Sequence, residues 1–163
     1  MIGETYPFYS EEFDAQQDLL HFSFLSKGKA NVPKIVAFSP TTIDGIQYYN
    51  MGLGDLVYDE GTGRYRIIDN RTTNNGDHKK VLYTVVLTLY KFFEIHPKAT
   101  VRIVGSDSRR TEFYKKLALR HIKETKSHFD IIACVQNKFT AVEADSIIDY
   151  LLISRRKHFT FDH

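Results

Sequence analysis

Cysteine is almost absent. Cys134 stands alone among 163 residues, which excludes an internal disulfide and leaves no second thiolate to share a metal ion. Long apolar runs are missing as well: stretches such as Thr84–Leu89 and Asp149–Ile153 fall far short of the roughly 20 residues a spanning helix needs. The seven histidines form no His-x-x-x-His or His-Glu-x-x-His spacing, so no metal is expected. No Gly-x-Ser-x-Gly elbow supports serine hydrolase chemistry, and Gly52-Leu53-Gly54 is not followed by the helix a dinucleotide fingerprint requires. The opening Met1-Ile2-Gly3-Glu4 shows no basic patch leading into an apolar segment, so the expected setting is the reducing cytoplasm, away from membranes. Repeats, low-complexity tracts and Pro/Gly/Ser linkers are also lacking. The expectation is one domain over residues 19–157, an extended arm over 1–18 and a frayed tail over 158–163.

What the chain has in quantity is aromatic side chains, 12 Phe and 10 Tyr, within a composition 42% hydrophobic and 26% charged. That is the balance of a folded protein with a core to hold its rings. Charge is divided unevenly. Residues 1–60 carry nine acidic and three basic side chains, and residues 61–163 carry eleven acidic and nineteen basic ones, for a net +2. A basic second half often faces an anion, whether phosphate, nucleotide or nucleic acid.

The first 70 residues read as strands. Leu20, Phe22 and Phe24 recur every second residue, the strand period. Val32–Ser39 is a second strand, stopped by Pro40. A third covers Ile46–Leu53 and Leu56–Tyr58, broken by Gly52 and Gly54; a turn at 59–63 leads to a fourth, Tyr65–Asp69. The period then changes. Val81, Leu82, Val85, Val86, Leu89, Phe92 and Phe93 follow helical spacing from Asp77 to Ile95, with Asn75 or Asp77 as cap and His96-Pro97 as stop. Thr100–Val104 is a short strand. A second helix runs from Ser106 to about Thr125, with Phe113, Leu117 and Ile122 inward and its cations largely outward. Phe129–Val135 is a strand, Lys138–Asp145 is irregular or a short turn, and Ile147–Ser154 is a final strand, with a short helix as the alternative. The order β-β-β-β-α-β-α-β-β predicts an α+β fold with a mostly antiparallel sheet.

Two segments carry candidate chemistry. The polar loop Asn70–Asp77 runs into a helix whose first amide N–H groups are unpaired and carry the positive end of the dipole, a site suited to an anion. Lys79 and Lys80 in that first turn oppose the dipole, a cost that an anionic partner would offset. The second helix and the chain end gather Arg109, Arg110, Lys115, Lys116, Arg120, His121, Lys123, Lys126 and Arg155-Arg156-Lys157. They could form a nucleic-acid or partner-protein face, with nearby rings to stack on bases. No helix-turn-helix, zinc-finger or RNP pattern accompanies them. Cys134, alternating within a strand, reads as a small core residue.

The run Arg71-Thr72-Thr73-Asn74-Asn75-Gly76, with Arg first and Gly last, resembles the Arg/Gln-x-x-Gly-x-Gly/Ala loop of the GNAT acetyltransferase superfamily, with Asn74 at the middle glycine position. Downstream, Phe113, Tyr114, Lys116 and Leu117 match the Phe-Tyr-x-Lys-Leu segment of that superfamily, while Asp107, Arg110, Ala118 and Leu119 depart from it. The resemblance covers residues 46–154, without the usual pair of helices after the first strand. It implies a GNAT-like core and acetyl-CoA as cofactor, its pyrophosphate held by Arg71, Asn74, Asn75, Gly76, Asp77 and Lys79. It further implies that Tyr114 is the general acid for the leaving thiolate, with Asp55 or Asp69 as candidate bases. Over the full length, Tyr6-Pro7-Phe8, Asn74-Asn75-Gly76-Asp77 and Gly105-Ser106…Arg110…Tyr114 resemble a family of short bacterial proteins of unknown function, mainly from Bacteroidota.

Overall fold

The computed structural model describes residues 4–14, 19–68, 75–105, 107–125 and 128–156. In chain order the elements are β1 (Phe8–Asp14), β2 (Leu19–Lys27), β3 (Asn31–Ile43), β4 (Ile46–Asp59), β5 (Arg64–Ile68), α1 (His78–Ile95), β6 (Thr100–Ile103), α2 (Ser108–Thr125), β7 (Phe129–Val135), β8 (Lys138–Ala141) and β9 (Tyr150–Arg155). The strands hydrogen-bond in the order β1-β2-β3-β4-β6-β9-β7-β8, with β5 on β4. The β4–β6 pair is parallel, as expected where a helix-bearing crossover separates two neighbours. The other pairs whose registers are resolved are antiparallel. The α+β class and the mostly antiparallel sheet expected from the sequence are therefore what the protein has. No helix among the described residues is long and apolar enough to cross a membrane.

The chain gathers into two compact units, each made of two separate stretches. One comprises Ile2–Ser39 and Gly52–Phe92, the other Pro40–Met51 and Phe93–His163. In the first unit, β2 buries Leu20, Phe22, Phe24 and Ser26 and exposes Leu25 and Lys27. Its rings meet β3 and α1. Phe22 packs edge-on against Phe38 at 5.9 Å, and Phe38 stacks on Phe92 at 4.4 Å, contacts that add to the area each ring buries. Helix α1 contributes Val81, Leu82, Val85, Val86 and Leu89 at the expected spacing. In the second unit, Val101, Ile103, Phe129, Ala133, Leu151, Leu152 and Ile153 form a core with Phe93, whose ring lies 5.6 Å from that of Phe129.

Four boundaries differ from expectation. Residues 8–14 of the expected arm are a strand, paired from Phe8↔Phe24 to Asp14↔Leu19; the acidic run Ser10-Glu11-Glu12 conceals an edge strand. Pro40 does not end β3, which runs on to Ile43; its pairing with β2, among the described residues, reaches Leu20↔Phe38. Gly52 and Gly54 do not break β4. Instead the strand pairs β6 at Tyr49–Met51 and β5 at Asp55–Asp59, with the glycines between. Lys138–Ala141, read as irregular, is β8, joined to β7 by Gln136 and Asn137 at φ 49° and 66°. Two positive φ values are the mark of a type I′ hairpin, also formed by Asp44 and Gly45 between β3 and β4 at φ 52° and 77°. The tail 158–163 lies outside the described residues.

Candidate functional site

The even positions of β2 point inward, and the fourth of them, Ser26, is polar and fully buried. It needs partners, and they come from the loop before α1. Ser26 Oγ donates to Asp77 Oδ2 at 2.5 Å and accepts from Asn75 Nδ2 at 2.9 Å. The Tyr6 hydroxyl also donates to Asp77 Oδ2 at 2.5 Å, and accepts from the Lys27 N–H at 3.0 Å. Asn75, itself buried, faces the Ala30 peptide as a strand would. Its Oδ1 accepts from the Ala30 N–H and its Nδ2 donates to the Ala30 carbonyl, both at 2.8 Å. Its own carbonyl accepts from the Lys29 N–H at 3.3 Å. The Lys27-Gly28-Lys29 turn fits against this loop so closely that a Cβ on Gly28 would lie 1.9 Å from the Asn75 carbonyl oxygen.

Tyr6 anchors the arm to α1 at the same place. Its N–H donates to Thr84 Oγ1 at 2.8 Å, Thr84 Oγ1 donates to the Lys80 carbonyl at 2.7 Å, and the Lys80 ammonium sits 4.3 Å above the Tyr6 ring, a cation–π contact. Burial works against the Asp77 charge, but the hydrogen bonds from Ser26 and Tyr6, with the Lys34 charge, outweigh it and hold the carboxyl below its ordinary value. Burial, then the bond to Asp77, pushes the Tyr6 phenol up. Thus Tyr6 keeps its proton and Asp77 keeps its charge. Lys34 forms a short ion pair with Asp55 at 2.5 Å, both largely buried.

The Asn75 side chain is committed to Ala30 and Ser26, and a native carboxylate, Asp77, already stands just before the first turn of α1. Gly76 is exposed with φ 80°, and Lys79 is exposed. Arg71, Asn74 and the candidate base Asp69 lie outside the described residues. The other candidate base, Asp55, is the partner of Lys34. Tyr114 is half-buried on α2 and belongs to the second unit, whereas residues 75–79 belong to the first. The sequence reading missed Tyr6, Ser26 and Lys34. The polar interruption of the β2 alternation at Ser26 was the signal available.

The second candidate, α2, begins after Asp107, whose Oδ1 accepts from the Arg110 N–H at 2.8 Å as a cap. Ser106, the expected start, lies outside the described residues. The helix is rotated relative to expectation. Among the side chains described, Thr111, Lys115 and Ala118 are buried, Leu117, expected inward, is half-buried, and Phe113, also expected inward, is 40% exposed; the side chain of Ile122 lies outside the described residues. Lys115, expected outward as a nucleic-acid contact, is 2% exposed. Its ammonium donates to the Ala144 and Ser146 carbonyls at 2.9 and 2.5 Å and pairs with Glu112 at 2.9 Å. It is a clamp on the segment before β9. Of the other cations, Arg109, Lys116 and Arg120 are exposed and Arg110 is half-buried. The side chains of His121 and Lys123, and all of Lys126 and Lys157, lie outside the described residues. Arg156 is tied to Asp130 at 3.0 Å.

At 3.6 residues per turn, positions 109, 113, 116 and 120 share one line, opposite the line of Thr111, Lys115 and Ala118. The outer face of α2 is thus a row of Arg109, Phe113, Lys116 and Arg120. Elsewhere in the second unit, Cys134 is buried as expected. A bond with it, and then burial, push the Tyr150 phenol up to about 12. Arg102 lies 4.4 Å over the Tyr150 ring and donates to Asn50 Oδ1 at 3.2 Å. Among the described residues no group of three or more His, Cys, Asp or Glu is placed to hold a metal ion.

These features define an α+β sheet protein with an internally satisfied polar node in one unit and a cationic, aromatic helix face in the other. The chain belongs to a family of unknown function, DUF6934, which it matches over residues 5–156, a span that takes in Tyr6, the Asn75–Asp77 loop and all of α2. No curated protein and no solved structure matches it.

Proposed function

We propose that the protein is a binding module that holds the phosphate backbone of a nucleic acid on the outer face of α2. The observation that carries this reading is the row of exposed cations Arg109, Lys116 and Arg120, set opposite the buried side of the helix. Along an α-helix at 1.5 Å per residue they are separated by about 10 and 6 Å, close enough to track successive phosphates on one strand. The node at the start of α1, with its own carboxylate in place, plays the structural part. Binding of labelled oligonucleotides between about 50 and 200 mM salt tests the proposal. Affinity should fall log-linearly with salt, and each of Arg109→Ala, Lys116→Ala and Arg120→Ala should reduce the slope by about 0.7 to 0.9. Absence of binding at low salt, or a slope indifferent to all three substitutions, refutes it.

A second reading, CoA-dependent acyl transfer on a GNAT-like core, draws support from the element order over residues 46–154, in which α1 lies between the parallel neighbours β4 and β6 and α2 follows. In that reading acetyl-CoA meets Arg71, Gly76 and Lys79 at the loop before α1. Thermal unfolding with millimolar acetyl-CoA tests it. At about 100 times its Kd a ligand adds roughly 2.7 kcal/mol, and the resulting shift should vanish in Arg71→Ala and Gly76→Trp. No shift in the wild type ends that reading.

A further inference from the structure

Building on the nucleic-acid reading of α2, we infer that its ligand is single-stranded and that Phe113 is a platform on which an unpaired base stacks. Phe113 lies on the same line as Arg109, Lys116 and Arg120 and between them, four residues after the first and three before the second. Leu117 and Leu119 are half-buried and Ala118 is buried, whereas Phe113 is 40% exposed. The Tyr114 ring stands 6.4 Å away at 55° and flanks it. Cations on both sides of an exposed ring are the arrangement in which a backbone is drawn along the protein while a base leaves the strand to lie on the π-face. A duplex could use only half of this. Its base faces are already stacked on one another, so the three cations would reach phosphate and the ring would gain nothing.

The row from Arg109 to Arg120 is about 16 Å long at the rise of an α-helix. That gives room for a short strand segment and one or two bases, and Phe113 offers a single ring. Stacking of this kind tolerates any base, because every base has a π-face. The preference expected is therefore for strandedness and not for sequence.

The test uses the full chain with fluorescent oligo-dT and oligo-U of about a dozen nucleotides, within the site sizes common for such proteins, and a duplex of equal length. Phe113→Ala should weaken binding of the single strands by roughly 5- to 150-fold, the range measured when stacking aromatics are truncated. The salt slope should be unchanged, because no phosphate contact is lost. Phe113→Trp should restore binding, and duplex affinity should be the same in all three proteins. The dT and U arms separate DNA from RNA as the source of the strand. If Phe113→Ala binds single strands like the wild type while the arginine and lysine substitutions still lower the slope, the stacking inference falls and the phosphate-contact reading stands. Equal losses on single strand and duplex overturn the inference too, because they mark a change in the helix and not in stacking. If neither probe binds at low salt, both readings fall together.

Discussion

Replacing Lys115 separates a clamp from a contact. Its ammonium donates to two main-chain carbonyls, of Ala144 and Ser146, and pairs with Glu112, with only 2% of the side chain exposed. Lys115→Met keeps most of the stem volume and removes the donors, so the cavity cost is small and the loss is polar. Losing two hydrogen bonds from a charged donor to part-buried carbonyls costs about 1 to 2 kcal/mol each, and the pair with the half-exposed Glu112 adds about 0.3 kcal/mol. The sum, about 2 to 4 kcal/mol, is a large part of the 5 to 15 kcal/mol that holds a domain folded. At roughly 2 to 4 °C per kcal/mol for a chain of this size, the midpoint should drop by about 5 to 15 °C. Thermal and urea unfolding read the stability, and the salt slope of oligonucleotide binding is read on the same variant well below its midpoint. The reasoning predicts a lower midpoint and an unaltered slope. A midpoint within 1 °C of wild type, or a slope reduced as in Lys116→Ala, would refute the clamp.

Other outcomes follow from the node in the first unit. Asn75→Ala removes both bonds to Ala30 and two to Ser26, and should lower stability by about 2 to 4 kcal/mol in urea unfolding, whereas a change below 0.5 kcal/mol would mean that water replaces the amide. Gly28→Ala should destabilise as well, and adding Asn75→Ala should not rescue it, because the clash is with the main-chain oxygen of residue 75. Asp77 has a folded pKa below its unfolded value, so its contribution is present above about pH 4 and is lost as pH falls through the folded value. Comparing urea midpoints of wild type and Asp77→Asn from pH 5 to pH 2 should show the gap closing with acid. Tyr6 has a raised pKa, so its contribution is present below about pH 10 and is lost as pH rises beyond it. Tyr6→Phe should lack that alkaline loss.

What could be read in advance was what depends on neighbours in sequence. The alternation of Leu20, Phe22 and Phe24 and the helical spacing from Val81 to Phe93 each register burial on one face, and the structure buries those residues. What could not be read depends on partners far along the chain. Tyr6 and Asp77 are 71 residues apart, and Asn75 and Ala30 are 45 apart, so the loop showed its turn-forming residues without showing what they hold. Strand β8 has all four side chains exposed and offers no alternation to detect. The rotation of α2 is the instructive miss. Apolar Phe113 and Leu117 mark one candidate inner face, yet Thr111, Lys115 and Ala118 form an equally good line at spacings of four and three, and the lysine has carbonyls to reach. Hydrophobicity alone misplaces a helix whose buried positions, among the side chains described, are Thr111, Lys115 and Ala118.

The change of partner along β4 has a consequence for the gene. Because that strand pairs β6 up to Met51 and β5 from Asp55 onward, and because each compact unit draws on two separated stretches of chain, no single internal cut leaves both units whole. Truncations, fusions made at one internal breakpoint and exchange of one half with a relative would each break at least one unit. Such a protein can vary by substitution and by insertion at its turns, but recombination has no seam to use.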